Sequence, residues 1–304
     1  MTVTAPATSA NLGPGFDVLA VALDLANIVT VTRREGPLEV HVSGEGAGEI
    51  PEDERNLVCR GLDAGLGGLD DLYIECENRI PLGRGLGSSA ATVCAGLAAA
   101  NALGRMRWSP DEMLARATAI EGHADNAAAC LEGGLVAVAP GPRAMRIPTP
   151  EDLLFIAVIP TARTSTEAAR RALPDVIAHA DAAYTVAQAI GLSLALERGE
   201  LDGIGEFLSD RLHEPYRGPL VPGLHLIREC VDGVGCLGAT ISGSGPTVLV
   251  WSRVAGSTEL ARSIEAKLTS AGHEVRAKIL RLAPGGIRAR WSDTPPTALA
   301  KAPG

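Results

Sequence analysis

The chain has 304 residues, of which 46% are hydrophobic and only 3% aromatic, so the expected core consists of Ala, Val, Leu and Ile, and a disordered chain is excluded. The formal net charge of −9 argues against a surface that neutralises a nucleic-acid backbone, although a local basic pocket can still hold one small anion. This length fits two domains of ordinary size.

The six cysteines form neither a Cys-x-x-Cys pair nor a cluster with histidine at metal-ligand spacing. We interpret them as reduced thiols of a cytoplasmic protein. The first basic residue is Arg33, so no signal peptide is expected. The uncharged stretch 85–104 is too rich in Gly, Ser and Ala for a membrane span. Neither a membrane nor a nucleic acid is therefore a predicted partner.

In the first half of the chain, strands and helices mix without the regular alternation of a doubly wound sheet. A strand begins at Thr2, and the Gly- and Pro-broken residues 6–17 are predicted as a polar loop. Further strands are predicted over 18–25, 28–31, 38–42, 72–77 and 135–139, and helices over 56–66, 88–103 and 109–120. Ser109 and Pro110 form the cap and first position of the third helix. A proline-rich break then suggests a boundary between domains 1–147 and 148–283.

The second half predicts a small sheet layered with helices, so the fold class is α+β. Its strands are predicted over 153–159, 238–241, 247–251 and 274–282, and its helices over 166–172, 183–198, 201–210, 224–231 and 258–271. From Pro284 the chain is rich in Pro, Gly and Ala, which predicts a flexible tail over 284–304.

A glycine-rich loop precedes the helix predicted over 88–103. Its residues are Pro81, Leu82, Gly83, Arg84, Gly85, Leu86, Gly87, Ser88, Ser89, Ala90 and Ala91. Such a loop lets backbone N–H groups and a helix N-terminus surround an anion. It lacks the lysine of a Walker A loop and has G-x-G-x-G in place of the dinucleotide fingerprint. A tight turn before a buried helix is the alternative, but the following serines favour a phosphate site.

Three segments together resemble the three motifs of the GHMP small-molecule kinases, in the form used by their homoserine kinase branch. They are residues 6–17, 81–91 and 238–247, while 121–126, 166–170 and 213–217 resemble segments specific to that branch. The resemblance extends to about residue 250 and implies an N-terminal domain like ribosomal protein S5 domain 2 and a ferredoxin-like C-terminal domain. The active site would lie between them, with ATP and Mg²⁺ as cofactors and the L-homoserine hydroxyl as phosphoryl acceptor.

The resemblance also assigns roles to individual residues. Glu121 would bind the metal together with Ser88 or Ser89, and Gly243, Ser244 and Gly245 would approach the phosphates or the substrate. Arg170 and Arg217 would bind the substrate carboxylate, and Asp17 the ammonium group. Asn11 and Thr166 would complete the substrate-binding residues, with His123 and Asn126 as candidate catalytic side chains. No general base is assigned, because the branch implies direct attack by the hydroxyl.

Alternatives remain at this level. Considered without the resemblance, Glu121 could be a solvated residue at a helix end, and Arg170 or Arg217 could be a surface charge. Residues 243–246 could be a tight turn between two strands. Ala124 replaces the proline usual in the branch, and residues 179–196 match it only loosely, which affects substrate preference more than kinase chemistry. The chain could phosphorylate mevalonate, pantoate or shikimate, act as a catalytically silent regulator, or, more remotely, be a Rossmann oxidoreductase. A homodimer is expected.

Overall fold

The computed structural model describes residues 1–141, 143–230 and 235–291, which form two sheets and their covering helices. The first sheet contains β1 (Thr2–Asn11), β2 (Gly15–Arg33), β3 (Glu39–Gly44), β4 (Leu72–Asn78), β5 (Leu135–Ala139), β6 (Arg143–Ile147) and β11 (Arg288–Arg290). Its order is β11-β1-β2-β4-β3, with β5 pairing β2 and β6 pairing β5. The β3–β4 pair is parallel and the other pairs are antiparallel.

The polar loop predicted over 6–17 is wrong. β1 continues to Asn11 and β2 begins at Gly15, which leaves only a short turn between them. The small residues from Ala5 to Ala10 are buried. They form a strand because their short side chains fit beneath the helices that cover this sheet, and these contacts outweigh the Gly and Pro turn signals.

Four helices accompany the first sheet. They are α1 (Leu57–Leu66), α2 (Ser88–Leu103), α3 (Pro110–Glu121) and α4 (Asp125–Glu132). The prediction of a helix over 88–103 is confirmed, as are the Ser109 cap and Pro110 at the start of α3. α4 was not predicted, because it has only 8 residues and follows directly on the left-handed Gly122 that ends α3.

The second sheet contains β7 (Leu153–Pro160), β8 (Cys236–Ile241), β9 (Val248–Arg253) and β10 (Val275–Leu280) in the order β10-β7-β9-β8. Both faces are buried because alternate residues serve two cores. Phe155 and Trp251 join the core of the first domain, whereas Ile156 and Val250 pack in the second core. The β-α-β-β-α-β order fits the predicted ferredoxin-like domain.

The remaining helices are α5 (Thr166–Arg171), α6 (His179–Arg198), α7 (Glu214–Arg217), α8 (Leu224–Arg228) and α9 (Ser257–Ser270). The helix predicted over 201–210 is wrong, because the left-handed Gly203 limits helical structure there to a 3₁₀ turn, Ile204–Phe207. The last residue of the helix predicted over 224–231 lies outside the described residues. Among the helices of the described ranges, none has the length and apolar composition needed to cross a membrane.

The flexible tail predicted from Pro284 is wrong as far as residue 291. β11 pairs with β1, and the Ile287 N–H donates to the Cys130 carbonyl at 2.8 Å. A Cβ on Gly286 would lie 2.0 Å from the Leu131 carbonyl oxygen, so the glycines of this segment permit a close approach to α4. Residues 292–304 lie outside the described ranges, and the boundary at 147/148 stays a prediction.

Candidate active site

One cavity of about 530 Å³ brings together most of the predicted site residues. Its wall includes Asn11, Asp17, Pro81, Gly83, Arg84, Gly85, Leu86, Gly87, Ser88, Ser89, Ala90, Glu121, His123, Asn126, Thr166, Arg170, Arg217, Gly243 and Ser244. The other three, Leu82, Ala91 and Gly245, are not on the wall. Residues from both halves of the chain therefore enclose one site, as the resemblance implies.

The glycine-rich loop provides the cavity with an open helix N-terminus. Gly83, Gly85 and Gly87 have φ values of +62°, +73° and +68°, a region that disfavours other residues. No side chain caps α2 in the structure, so its first N–H groups remain available to an anion. A Cβ on Gly85 would lie 2.1 Å from the Ser242 carbonyl oxygen, so this glycine also permits contact between the two glycine loops.

Arg84 has a structural task within the loop. Its guanidinium donates to the carbonyls of Pro160 and Thr161 at 2.8 and 2.7 Å, and to that of Leu82 at 3.1 Å. These bonds tie the glycine loop to the end of β7. Because the Arg84 donors are committed to carbonyls, the phosphate site depends on backbone groups more than on this side chain.

The predicted metal ligands meet at the start of α2. The Ser89 hydroxyl donates to Glu121 Oε1 at 2.7 Å, which brings the end of α3 to the N-terminus of α2. No cluster of three or more His, Cys, Asp or Glu side chains suited to a metal occurs among the described residues. One carboxylate and a hydroxyl fit Mg²⁺, which takes oxygen ligands and retains several waters.

Asp17 and Arg170 form a bidentate ion pair across the cavity. Arg170 Nη1 and Nη2 donate to the two Asp17 oxygens at 3.1 and 3.0 Å, and the side chains are 42% and 38% exposed for Arg170 and Asp17. Thr166, one turn earlier on α5, also faces the cavity. The two groups predicted to bind opposite ends of a substrate therefore bind each other in this structure.

Arg217 is a buried cation on the same wall, only 2% exposed. Its Nε donates to the Ala169 carbonyl at 3.3 Å, and Nη1 to the Gly243 carbonyl at 3.2 Å. Within the described ranges, no carboxylate lies at ion-pair distance from Arg217. Its pKa is lowered, first because burial penalises the charged form and then because Arg170 is nearby. The negative charge of an incoming carboxylate would offset both effects by stabilising the charged guanidinium.

His123, Asp125 and Asn126 form a polar group at the start of α4. The Asp125 carboxylate binds His123 Nδ1 at 2.9 Å and accepts the Asn126 N–H at 2.7 Å. The hydrogen bond to Asp125 raises the pKa of His123. Asn126 Oδ1 accepts from the Thr8 hydroxyl at 2.7 Å, which leaves its Nδ2 as a donor. Both bonds go to Asp125 Oδ1, so this carboxylate fixes the His123 ring and the start of α4 at the cavity wall.

The loop after β8 is fixed against the start of the chain. Asn11 Nδ2 donates to the Gly243 carbonyl at 2.8 Å, and the Asp17 N–H donates to Asn11 Oδ1 at 3.0 Å. The Ser242 hydroxyl donates to the Gly85 carbonyl at 2.7 Å. These bonds join the three motif segments at one point, so Asn11 organises both Asp17 and the loop.

Sequence reasoning missed several residues of the cavity wall. The polar or charged ones are Arg60, Thr164 and Glu167. Arg60 lies one turn after Leu57 on α1, and no hydrogen bond or ion pair involves its side chain among the described residues. Arg60 and Thr164 are ordinary surface residue types that no motif marks, and Glu167 lies within the segment 166–170 but has no role assigned by the resemblance. Only the tertiary arrangement brings them to the site.

Comparison with known proteins agrees with this architecture. The profile described as the GHMP kinases N terminal domain matches residues 56–134, and that described as GHMP kinases C terminal matches residues 192–274. A homoserine kinase of Corynebacterium jeikeium is 43% identical over 267 residues, covering 83% of this chain and 85% of its own length. One from Streptomyces avermitilis is 41% identical, covering 86% and 88%.

Structural similarity points to the same family. The crystal structure of homoserine kinase from Cytophaga hutchinsonii matches with a TM-score of 0.85 at 29% identity, covering 95% of this chain and 96% of the other. The fold class inferred from the sequence resemblance is thereby confirmed. The chain belongs to the GHMP kinases and, within them, to the homoserine kinase family.

Proposed function

We propose that the protein transfers the γ-phosphoryl group of ATP to the side-chain hydroxyl of L-homoserine, in the presence of Mg²⁺, to give O-phospho-L-homoserine for threonine synthesis. The observation that carries this proposal is the composition of one cavity. A helix N-terminus suited to phosphates lies beside Asp17, Arg170 and the buried Arg217. Those three charges complement an amino acid with an ammonium and a carboxylate group.

A zwitterionic substrate can replace the Asp17–Arg170 ion pair without leaving either charge unpaired. Its ammonium group would form an ion pair with Asp17, and its carboxylate would bind Arg170 and Arg217 through bidentate guanidinium contacts. A hydroxy acid without an amine would satisfy the arginines but leave Asp17 without its cation. The pair therefore favours an amino acid over mevalonate, pantoate or shikimate.

On the nucleotide side, the N–H groups of residues 83–89 would hold the triphosphate. Glu121 and the Ser88 or Ser89 hydroxyl would hold Mg²⁺, which supplies charge neutralisation between the phosphate oxygens when bound. Phosphoryl transfer requires mainly positioning and electrostatic stabilisation, so a strong base is not needed. His123, held at Nδ1 by the Asp125 carboxylate, would be a further polar group near the reacting oxygens. The Asn126 Nδ2 group would help orient the hydroxyl.

The location and assembly of the protein also remain proposals. The cytoplasm agrees with six cysteines that form no disulfide bond within the described residues. The homodimer can be tested by light scattering after size-exclusion chromatography. A molar mass near twice the 31.3 kDa of one chain is expected, and a mass of one chain would contradict it.

The decisive activity test is ADP release with Mg²⁺ and ATP against L-homoserine, D-homoserine, mevalonate, pantoate and shikimate. Turnover on L-homoserine alone would support both the kinase chemistry and the zwitterion site. Turnover on another alcohol would retain the kinase but contradict the proposed substrate contacts. Nucleotide binding without turnover on any of the five would indicate a regulatory protein.

A further inference from the structure

His213 is a fully buried residue that links two parts of the proposed substrate site. It immediately precedes α7, four residues before Arg217, and is 0% exposed. Its Nε2 lies 2.8 Å from the carbonyl oxygen of Gly13, in the turn between β1 and β2. Its Nδ1 lies 3.4 Å from Arg217 Nη1. The imidazole thus joins the first motif to the buried arginine.

These two contacts determine the tautomer of the ring. The Gly13 carbonyl can only accept a hydrogen bond, so the proton must be on Nε2. The Arg217 guanidinium can only donate, so Nδ1 must carry a lone pair. Burial lowers the pKa of His213 to about 4, which agrees with a neutral ring at neutral pH.

We propose that His213 is a positioning residue that orients the Arg217 guanidinium toward the substrate carboxylate while leaving its positive charge unpaired. This inference rests on the proposed function, because Arg217 is its point of contact with the substrate. The other acceptors from Arg217, the carbonyls of Ala169 and Gly243, are likewise neutral. Arg217 is therefore held by three neutral acceptors, and its counter-charge is supplied by the ligand.

The alternative of a carboxylate partner shows why a neutral acceptor matters. A carboxylate at this distance would form an internal ion pair and compete with the substrate for Arg217. Asp17, Asp125 and Asp210 are the carboxylates whose charges act on Arg217, and Asp125 is bound to His123. Asp210 Oδ2 also lies 3.7 Å from His213 Nε2. That oxygen, however, accepts the N–H groups of His213 and Glu214 at 2.7 and 2.8 Å, on the side of the ring away from Nδ1. Asp17 is the other carboxylate whose charge reaches His213, and it is paired with Arg170.

The kinetic test compares His213→Leu, which fills similar volume without donor or acceptor, with His213→Gln, whose amide supplies both. Ser252→Ala is the control, because it removes a buried hydroxyl on β9 that donates to the Gly235 carbonyl at 3.2 Å and does not line the cavity. His213→Leu should raise the homoserine KM roughly 10- to 100-fold, the loss expected for a hydrogen bond to a charged group, with the ATP KM near wild type. His213→Gln should restore most of the lost homoserine affinity, and Ser252→Ala should leave both KM values unchanged.

A second measurement does not depend on the identity of the substrate. In protein labelled with ¹⁵N-arginine, rotation of the Arg217 guanidinium should be restricted in wild type, His213→Gln and Ser252→Ala, and several-fold faster in His213→Leu. If wild type fails to phosphorylate homoserine, the proposed function fails, but this rotation rate still decides the positioning role. An unchanged rotation rate in His213→Leu overturns the inference. The inference is also overturned if His213→Leu raises the homoserine and ATP KM values equally and Ser252→Ala raises them by the same factor.

Discussion

The two halves of the cavity are constructed in different ways. The proposed nucleotide half consists of backbone groups of one continuous segment, from Gly83 to the first turn of α2. The proposed substrate half consists of charged side chains from β2, α5 and α7, which are far apart in the chain. A phosphate site made of backbone groups is disrupted when a Cβ is added to one of its glycines, whereas most side-chain substitutions nearby have little effect on it. A site made of charged side chains depends on which charges face each other, and their arrangement would determine which substrate binds.

The largest effect on the substrate half is expected from Arg217→Met. Removing one partner of a buried charge pair costs a few kcal/mol, so the homoserine KM should rise roughly 100- to 1000-fold. The ATP KM should stay near wild type, because the glycine loop is untouched. Steady-state kinetics checks this, with Arg211→Met as control, since Arg211 pairs with Asp181 outside the cavity. Equal loss of both affinities would contradict a separate substrate half.

On the nucleotide half, Gly85→Ala should reduce kcat/KM for ATP by roughly 100-fold, because overpacking and a strained positive φ act together. The added Cβ would meet the Ser242 carbonyl at 2.1 Å. Gly83→Ala is the matched control, since its φ is also positive but its nearest neighbour would be 3.6 Å away. In this control variant, kcat/KM for ATP should fall about tenfold at most. Similar losses in both variants would show that backbone strain, and not the contact between loops, limits this position.

Asp17→Asn should sharpen the comparison by changing selectivity. It removes the proposed ammonium partner, so the homoserine KM should rise about tenfold, as for a partly exposed charged contact. The ratio of kcat/KM for homoserine to that for an amine-free hydroxy acid should fall by a similar factor. Asp24→Asn on the same strand is the control, because within the described ranges the Asp24 carboxylate accepts one hydrogen bond, from the Arg281 backbone N–H. An unchanged ratio would show that Asp17 does not bind the ammonium group of the substrate.

The smallest expected effect concerns pH. Burial depresses the pKa of His213 to about 4 in the folded state, from an ordinary value of 6.5. The unfolded chain then binds the proton more readily, so this contribution to the free energy of unfolding is full above pH 6.5 and falls as pH drops toward 4. Urea titrations of wild type and His213→Gln at pH 7.5 and 5 should show that the free energy of unfolding falls more between these pH values in wild type than in the variant. An equal fall in the free energy of unfolding of both proteins would contradict a neutral, buried imidazole.

The same contrast explains what the sequence could predict. The glycine loop and α2 are local, so their spacing alone predicted the helix and the anion site. The strand from Pro6 to Asn11 was missed because its stability comes from burial under helices. The tail was missed because the pairing of β11 with β1 joins opposite ends of the chain. For the same reason no pattern revealed the link from Gly13 through His213 to Arg217, although the resemblance had marked Arg217 itself.

The central claim is that one cavity holds a triphosphate on backbone groups and a zwitterion on opposed charges. A crystal structure of the protein with a non-hydrolysable ATP analogue, Mg²⁺ and L-homoserine tests it most directly. The account predicts phosphates against residues 83–89, the ammonium group at Asp17, and the carboxylate at Arg170 and Arg217, with the Asp17–Arg170 pair opened. Homoserine bound elsewhere, or an intact pair with the carboxylate away from both arginines, would contradict the account.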